Sequence, residues 1–559
     1  MVGDSRLKSQ KDKPKMHTCL TAIKPWLWML FLVLSACGGP TSDNPGASFA
    51  PSSGQVHAPD SAPLNTSVYA AARFLEQASW GPTPTEIQRV RQTGPEAWIN
   101  QQLAQPISIL NAPNYVIDYD NNNAAAQQQA NNWFPRRFYD LSISGNDQLR
   151  QRVSWALFNY IPVNSGPYPT TEYFNTFQRQ SLGNYKDLLR AVTLHPVMGV
   201  FLNNEQNEAS KPNENYAREL MQLFSVGLVK LNMDGSTQRS PNGTPIETYT
   251  QIDVVNATKA LSGWSLAWEP NLPSTNWMNA GKTMIAKKWP TNAHDAGAKT
   301  IMGSNIPAGQ TLQQDLESLL GILVNHPNTA PFVSRRLIQS LVSSDPTPAY
   351  IERIAKVFKQ TQGDLGQVVK AILLDPEART ADDPAKSTPR VGKLKEPLLQ
   401  HINTLRGLGC KTAVMHWDQP TVAIRAWEQD PFRAPNVFGY TSPNYKTPES
   451  LIPSPEQKLL TTNEINRRLG ALSWWQEKEV QPYRDAGCDV QDFLTAAQTS
   501  DDALLNLINA RFFKGAMSPT LRNGALNVMK TNMNGNPAWQ KTSRTLQLLL
   551  SSPAYGVIR

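Results

Sequence analysis

This 559-residue sequence predicts a mainly α fold: a multi-helix globular domain with long loops and at most a small β-hairpin. Three observations predict it. Apolar residues recur at helical spacing in segment after segment. Ser, Thr, Asn, Asp, Pro and Gly stand where helix caps and stops belong. Runs rich in β-branched residues with period two are scarce; Thr283–Trp289 and Lys299–Met302 are the best of them and are expected to form one hairpin.

The chain opens on a leader. Lys24 precedes an unbroken apolar run, Trp26 to Leu34, followed by Leu34-Ser35-Ala36-Cys37. A basic flank, a short apolar run and a small-residue ending read as a secretory signal over residues 1–36, not as a membrane span. Met16 is an alternative start to Met1. The Leu-Ser-Ala-Cys ending resembles the lipobox of bacterial lipoproteins. That resemblance implies cleavage before Cys37, a lipid on its thiol, and a cell-envelope location. Gly38 after it suits the outer membrane if the host has two membranes. The competing reading is an ordinary signal peptide with a chance cysteine. Residues 37–66, rich in Pro, Ser and Gly, read as a flexible tether.

Charge and cysteines narrow the class. Residues 1–36 carry six basic and two acidic side chains, so the net charge of +8 falls to +4 without them. With no basic run interleaved with aromatics, nucleic acid is not an expected partner. Of four cysteines, Cys19 leaves with the leader and Cys37 takes the lipid. Cys410 and Cys488 remain in an oxidising compartment, where two thiols tend to pair; closing that loop stabilises by about 4–5 kcal/mol. Two separately buried thiols are the alternative.

Order is expected from Ser67. Ala71, Ala72, Phe74, Leu75 and Ala78 form a helical stripe ended by Gly81-Pro82. Thr83-Pro84-Thr85-Glu86 then reads as a capping box with Pro at the first helical position, stopped at Gly94. Asp120 to Asn132 is a polar tract, either loop or polar helix. Further helices are expected over 147–160, 186–194, 250–262, 314–324, 330–342, 349–361, 365–374, 394–408, 456–475, 502–513, 519–529 and 544–550. Ser265 to Gln310 is a long stretch with little helical signal, the kind of loop that is usually functional or disordered. The expected organisation is a main helical domain over 67–475, with C-terminal helices over 476–559 packed on it.

The densest polar surface lies on one predicted helix, Pro212 to Gly227. Asn213 suits the N-cap and Gly227 the stop. At 100° per residue Tyr216, Ala217, Leu220, Met221, Leu223 and Phe224 share one face; Glu214, Asn215, Arg218, Glu219 and Gln222 share the other. Familiar catalytic and metal motifs are missing from the chain. No His-Glu-x-x-His occurs, Gly263-Trp264-Ser265-Leu266-Ala267 lacks the last Gly of a nucleophile elbow, and Gly407 to Thr412 lacks the Gly-Lys of a phosphate loop. His195 and His326 precede prolines at helix ends and read as caps near the negative end of the dipole.

Several blocks together resemble the large bacterial domain-of-unknown-function family 1800. They are Ala71-Ala72-Arg73-Phe74-Leu75 with Trp80 to Pro84; Pro212-Asn213-Glu214-Asn215-Tyr216-Ala217-Arg218-Glu219-Leu220; Tyr249-Thr250-Gln251 with Asp253 and Leu261-Ser262-Gly263-Trp264; His294-Asp295 with Lys299 and Gly303; His326-Pro327; and Phe432-Arg433-Ala434-Pro435-Asn436-Val437-Phe438-Gly439. Asn203 departs from the pattern, standing where relatives often have Asp. The resemblance implies a mostly helical, exported protein, often encoded beside a sulfatase-like or phosphatase-like partner. It implies no established activity.

Two functions are therefore expected in competition. In one, an envelope hydrolase uses Glu214, Glu219, His294 and Asp295 as an acid/base or divalent-metal set, with Arg218 as orienter. In the other, a non-catalytic binding or assembly protein works with a secreted partner enzyme or a glycan. Asn213, Asn215, Glu214 and Arg218 then form a structural polar cluster that ties loops to the helix. Thirteen tryptophans beyond the leader, with Trp264, Trp268 and Trp277 in or beside the long loop, offer stacking platforms for sugars, against the plainer reading that most are core.

Overall fold

The computed structural model describes residues 66–111, 124–164, 167–267, 283–386, 392–412, 428–448, 450, 452–466, 468 and 487–559. The leader, Cys37, the tether, Trp268 and Trp277 lie outside the described residues.

Capping chemistry starts several helices where the side chains predict; the helix expected over 212–227 is an exception, capped at Glu214 rather than Asn213 and ending at Gln222. Helix α1 (Val68–Ala78) begins after Ser67, whose hydroxyl accepts from the Ala70 amide. Helix α2 (Pro84–Thr93) begins after Thr83, which accepts from Glu86, and ends at Gly94 with φ of 84°. Only half of the predicted capping box forms there. The Glu86 carboxylate accepts from the Trp98 indole of α3 (Pro95–Leu103) instead of the cap backbone. The polar tract takes the helical alternative from Ala124 onward, in α4 (Ala124–Ser144). Then come α5 (Gln148–Tyr160), α6 (Pro167–Gln180), α7 (Tyr185–Thr193) and α8 (Pro196–Phe201). Helix α9 (Asn215–Gln222) carries the polar face, and α10 (Gln251–Ala260) starts on a full Thr250/Asp253 capping box. Beyond the long loop lie α11 (Leu312–Asn325), α12 (Thr329–Leu341), α13 (Pro348–Gln360), α14 (Leu365–Leu374) and the single turn α15 (Pro376–Arg379). The chain ends with α16 (Pro397–Gly407), α17 (Gln491–Thr499), α18 (Asp501–Ile508), α19 (Pro519–Asn532) and α20 (Ala538–Leu550).

The fold is thus mainly α, and its described strands make only two-stranded sheets. The two β-prone runs do not pair with each other as expected. β1 (Trp264–Ser265) pairs antiparallel with β2 (Ile285–Ala286), and β3 (Lys299–Ile301) pairs with β4 (Ser304–Ile306). The reason is local: Met302-Gly303, both with positive φ, make a two-residue turn directly after β3, so its partner is the next strand in the chain. β5 (Lys393–Leu394) pairs with β6 (Val557–Ile558), so the predicted 394–408 helix starts later, at Pro397.

One buried cluster runs from Ala71 to Ile558. Its aromatic centre joins Trp80, Phe138, Trp155, Phe158, Phe174 and Phe432, with centroids 5.1–5.9 Å apart for most pairs. The C-terminal helices feed the same cluster. Phe512 stacks on Phe493 and meets Tyr555 edge-on, and a side chain at Gly407 would collide with the Phe512 ring. Cys410 and Cys488 are joined by a disulfide. No helix among the described residues is long and apolar enough to cross a membrane.

Candidate functional site

The polar face of α9 forms a closed set of hydrogen bonds. Glu214 is the cap residue, and the Asn213 carboxamide oxygen accepts from the Asn215 amide 3.2 Å away. The Arg218 guanidinium donates to Glu214 at 2.8 Å and to Gln251 at 3.0 Å, while the Gln251 amide donates back to both Glu214 oxygens at 3.1 and 2.9 Å. Asn215 donates to Asn203, which holds φ of 59°. An Asn tolerates that left-handed turn better than most residues. Buried Asn207 completes the frame: its side chain accepts from the Asn213 amide and donates to the Thr258 carbonyl. Glu214 and Arg218 remain about one-third exposed, at 34% and 40%.

Glu219 points elsewhere. One of its carboxylate oxygens is buried without a hydrogen-bond partner, and desolvation raises its pKa against the opposing pull of Arg218. The hydroxyl of nearby Tyr249 is likewise buried and unpartnered, and desolvation raises it too.

His294 and Asp295 belong to a different constellation. The His294 ring packs on the Ser262 carbonyl at 3.0 Å through Nδ1 and faces Asp315 at 3.2 Å through Nε2. The Asp295 amide donates to the Ser262 hydroxyl. Gly263, at φ of 93°, brings its Cα against the His294 backbone so closely that a side chain would collide. The Lys299 ammonium lies 2.7 Å from buried Asp315 and donates to the carbonyls of Asp295 and Gly297. A cation already stands between the carboxylates. No three His, Cys, Asp or Glu side chains among the described residues converge as a metal-ligand set.

Glu214 is bonded to Arg218, and His294 is followed by Asp295 in the chain. No direct bond joins Glu214 to His294 among the described residues, but Asn207 links their frames, its side chain accepting from the Asn213 amide and its carbonyl from the Gly263 amide, while the Ala209 amide donates to the Ala293 carbonyl. Glu214 bonds to Gln251, at the start of α10; His294 bonds to Ser262, just past its end. That separation is roughly 15 Å at 1.5 Å per residue. Trp264, offered as a platform, is buried at 4% exposure, whereas Trp289 is 79% exposed. Of the two histidine caps, His326 is the C-cap of α11 as expected, whereas His195 is the N-cap of α8. His195 Nδ1 accepts from the Val197 amide and His326 Nδ1 from the Asn328 amide, so both serve the following segment, where a neutral ring can accept. Burial supplies that neutral ring, lowering His195 to about 3 and His326 below its usual value.

Sequence reasoning missed a cavity of about 100 Å³ on another face. It lies among α5, α12, the Lys393–Glu396 segment and the loop after Phe432. The motif residues build its mouth. Phe432 is anchored in the aromatic cluster, and the Tyr440 ring stacks on Trp155. Between them Asn436 accepts from the Phe438 amide, and Gly439 takes φ of 74° against the Asn159 carbonyl. Val437 and Phe438 are left at the rim, with Phe438 45% exposed. Inside are five charged groups. Lys393 pairs with Glu456 at 2.7 Å, and Arg152 stands 3.9 Å from Glu396. Glu396 also accepts from Trp155 and Gln429. Arg336 has no carboxylate partner among the described residues; it touches Gln339 at 3.3 Å and lies over the Phe332 ring at 5.1 Å. Burial lowers its pKa to about 10, leaving it charged at neutral pH. The available signal was the Phe432–Gly439 block itself, a Pro/Asn/Gly turn flanked by two aromatic anchors.

A family described as a protein of unknown function, DUF1800, matches residues 73–557. The chain belongs to that family. The match runs through the C-terminal helices, so the DUF1800 region includes α17 to α20. No curated protein and no solved structure matches the chain.

Proposed function

We propose that this DUF1800 protein is an exported, lipid-anchored envelope protein that acts as a binding or assembly component rather than as a hydrolase. One observation carries the choice between the two: of the acid/base candidates, Glu214 and His294 are already engaged by protein partners at opposite ends of α10. A general base needs hydrogen-bond reach of the group it serves, and Glu214 and His294 share no such centre. Asn207, Asn213, Asn215 and Arg218 instead tie the 203–213 loop to α9 and α10. The anchor reading rests on the Leu34-Ser35-Ala36-Cys37 ending. The partner would be a secreted sulfatase-like or phosphatase-like protein, or an envelope glycan.

Glu219 favours a second reading. A carboxyl raised by desolvation beside a buried tyrosine hydroxyl is how a general acid is made. Two experiments separate these readings. Palmitate labelling should disappear in Cys37→Ala; label that survives the change removes the lipid anchor. Affinity purification should yield a stoichiometric partner that Glu219→Gln retains. Hydrolysis of an envelope substrate that is abolished by Glu219→Gln, with no partner recovered, would replace the binding reading by the hydrolase.

A further inference from the structure

We propose that the cavity beside the Phe432–Gly439 loop binds a small organic carboxylate, held by the Arg336 guanidinium. Charge accounting leads to it. The lining holds three cations, Arg152, Arg336 and Lys393, and two carboxylates, Glu396 and Glu456. Four of the five pair with each other, which leaves Arg336 uncompensated among the described residues. Arg336 is half-buried and its guanidinium donates to Gln339 alone among the described residues, so a ligand carrying one negative charge would balance a cation that the lining leaves unbalanced. A guanidinium fork matches a carboxylate in two parallel hydrogen bonds.

Other atoms point the same way. Arg152 Nε and the Asn159 carboxamide oxygen, both on lining residues, are buried without hydrogen-bond partners. Arg152 itself is only 1% exposed. They offer a donor and an acceptor to a polar substituent on the ligand. Ala156, Leu223, Phe332, Val437 and Phe438 form the apolar part of the wall, which suits a short alkyl body. A cavity of about 100 Å³ is smaller than the roughly 150 Å³ that accommodates benzene, so the ligand has on the order of four to six non-hydrogen atoms. A dianionic phosphate would overshoot the single unpaired charge and repel Glu396 and Glu456. Phe438 lines the cavity and is exposed, so it stands at the rim. The inference deepens the binding reading but needs neither the lipid anchor nor a protein partner.

The test is calorimetric titration of the full chain with acetate, propionate, propionamide and inorganic phosphate. Propionate should bind saturably at one site, at least tenfold more tightly than neutral propionamide. Arg336→Gln should weaken propionate at least tenfold and leave propionamide unchanged, because a hydrogen bond to a charged group is lost. Phe438→Ala, on the surface, should weaken propionate about threefold and acetate less. Should Arg336→Gln fail to fold, Arg336→Lys keeps the charge without the fork and should give a smaller loss. No carboxylate binding up to about 20 mM, equal binding of propionamide, or indifference to both Arg336 variants overturns the proposal. Tighter binding of phosphate than of propionate overturns the carboxylate assignment. A partner recovered from the envelope despite any of these results would leave the binding role standing and the cavity without its part in it.

Discussion

Glu76 is the residue whose loss should unfasten the two ends of the fold. It lies on α1, fully buried, with Lys395 at 2.7 Å and the Lys514 ammonium in contact with the same oxygen. Lys395 precedes α16, and Lys514 follows the wide turn after α18, so one carboxylate joins segments more than 300 residues apart. Glu76→Gln leaves two buried lysine side chains without their counter-charge. Breaking a buried pair costs about 3–5 kcal/mol, and here one change strips two lysines. A loss of about 4 kcal/mol is a large share of a total stability of about 5–15 kcal/mol. Guanidinium unfolding of the wild type and variant measures it. Adding Lys395→Met and Lys514→Met to Glu76→Gln should recover most of the loss, because the triple change removes the desolvated charges together.

The pH dependence has a definite sign. Burial, outweighing the attraction of Glu76, lowers Lys395 from 10.5 to about 7. Between those values the unfolded chain holds the proton and the folded chain does not, so stability rises with pH through that window. Without the Glu76 carboxylate the rise should be steeper. A Glu76→Gln variant within about 1 kcal/mol of wild type, or one with a flat profile from about pH 7 to 10, would refute the triad as the clasp.

Three further outcomes follow from the same geometry. Gly439→Ala should destabilise the chain by about 1–3 kcal/mol, because its Cβ would lie 2.7 Å from the Asn159 carbonyl at a φ of 74°; thermal unfolding reads this, and Phe438 should become more accessible to limited proteolysis. His195→Asn keeps an N-cap acceptor but cannot titrate. Burial holds His195 down at about 3, so wild-type stability falls as pH drops from 6.5 toward 3, and the variant should show a shallower acid slope in denaturant titrations. Glu317 accepts from Arg190 at 2.7 Å through Nη2 and faces Lys186 at 3.1 Å, and the Arg190 hydrogen bonds lower it to about 2. Glu317→Gln should cost only about 0.5–1 kcal/mol at pH 7, since the pair is one-third exposed. That difference should fade as pH falls from 4.5 toward 2.

Much of the fold was legible because its helices are bounded by short-range chemistry. Thr83, Thr250, Thr311 and Asp364 each cap the helix that follows them, and each can be read within four residues. The strands were less legible because pairing is non-local. Ile285 pairs with Ser265 across twenty residues, and Lys393 pairs with Ile558 across most of the C-terminal third. The site divides the same way. Glu214 with Arg218 is an i, i+4 pair, visible in the sequence and present in the fold. Lys299 was quoted as part of a motif, but its pairing with Asp315 depends on α11 docking beside the hairpin.

The cavity shows why a polar helix face is a poor guide to where chemistry or binding resides. On α9 the charges are local neighbours, so they neutralise each other and leave the surface content with water. In the cavity the charges come from α5, α12, the segment before α16 and the 452–466 stretch, so their balance is set only when four distant pieces meet. Two pairs close and Arg336 does not. Its guanidinium lies over the Phe332 ring and donates to Gln339, which holds the cation in place without supplying a counter-charge. Its position beside a rim built from the Phe432–Gly439 block is what directs the proposed ligand to this cavity rather than to the more conspicuous Glu214 helix.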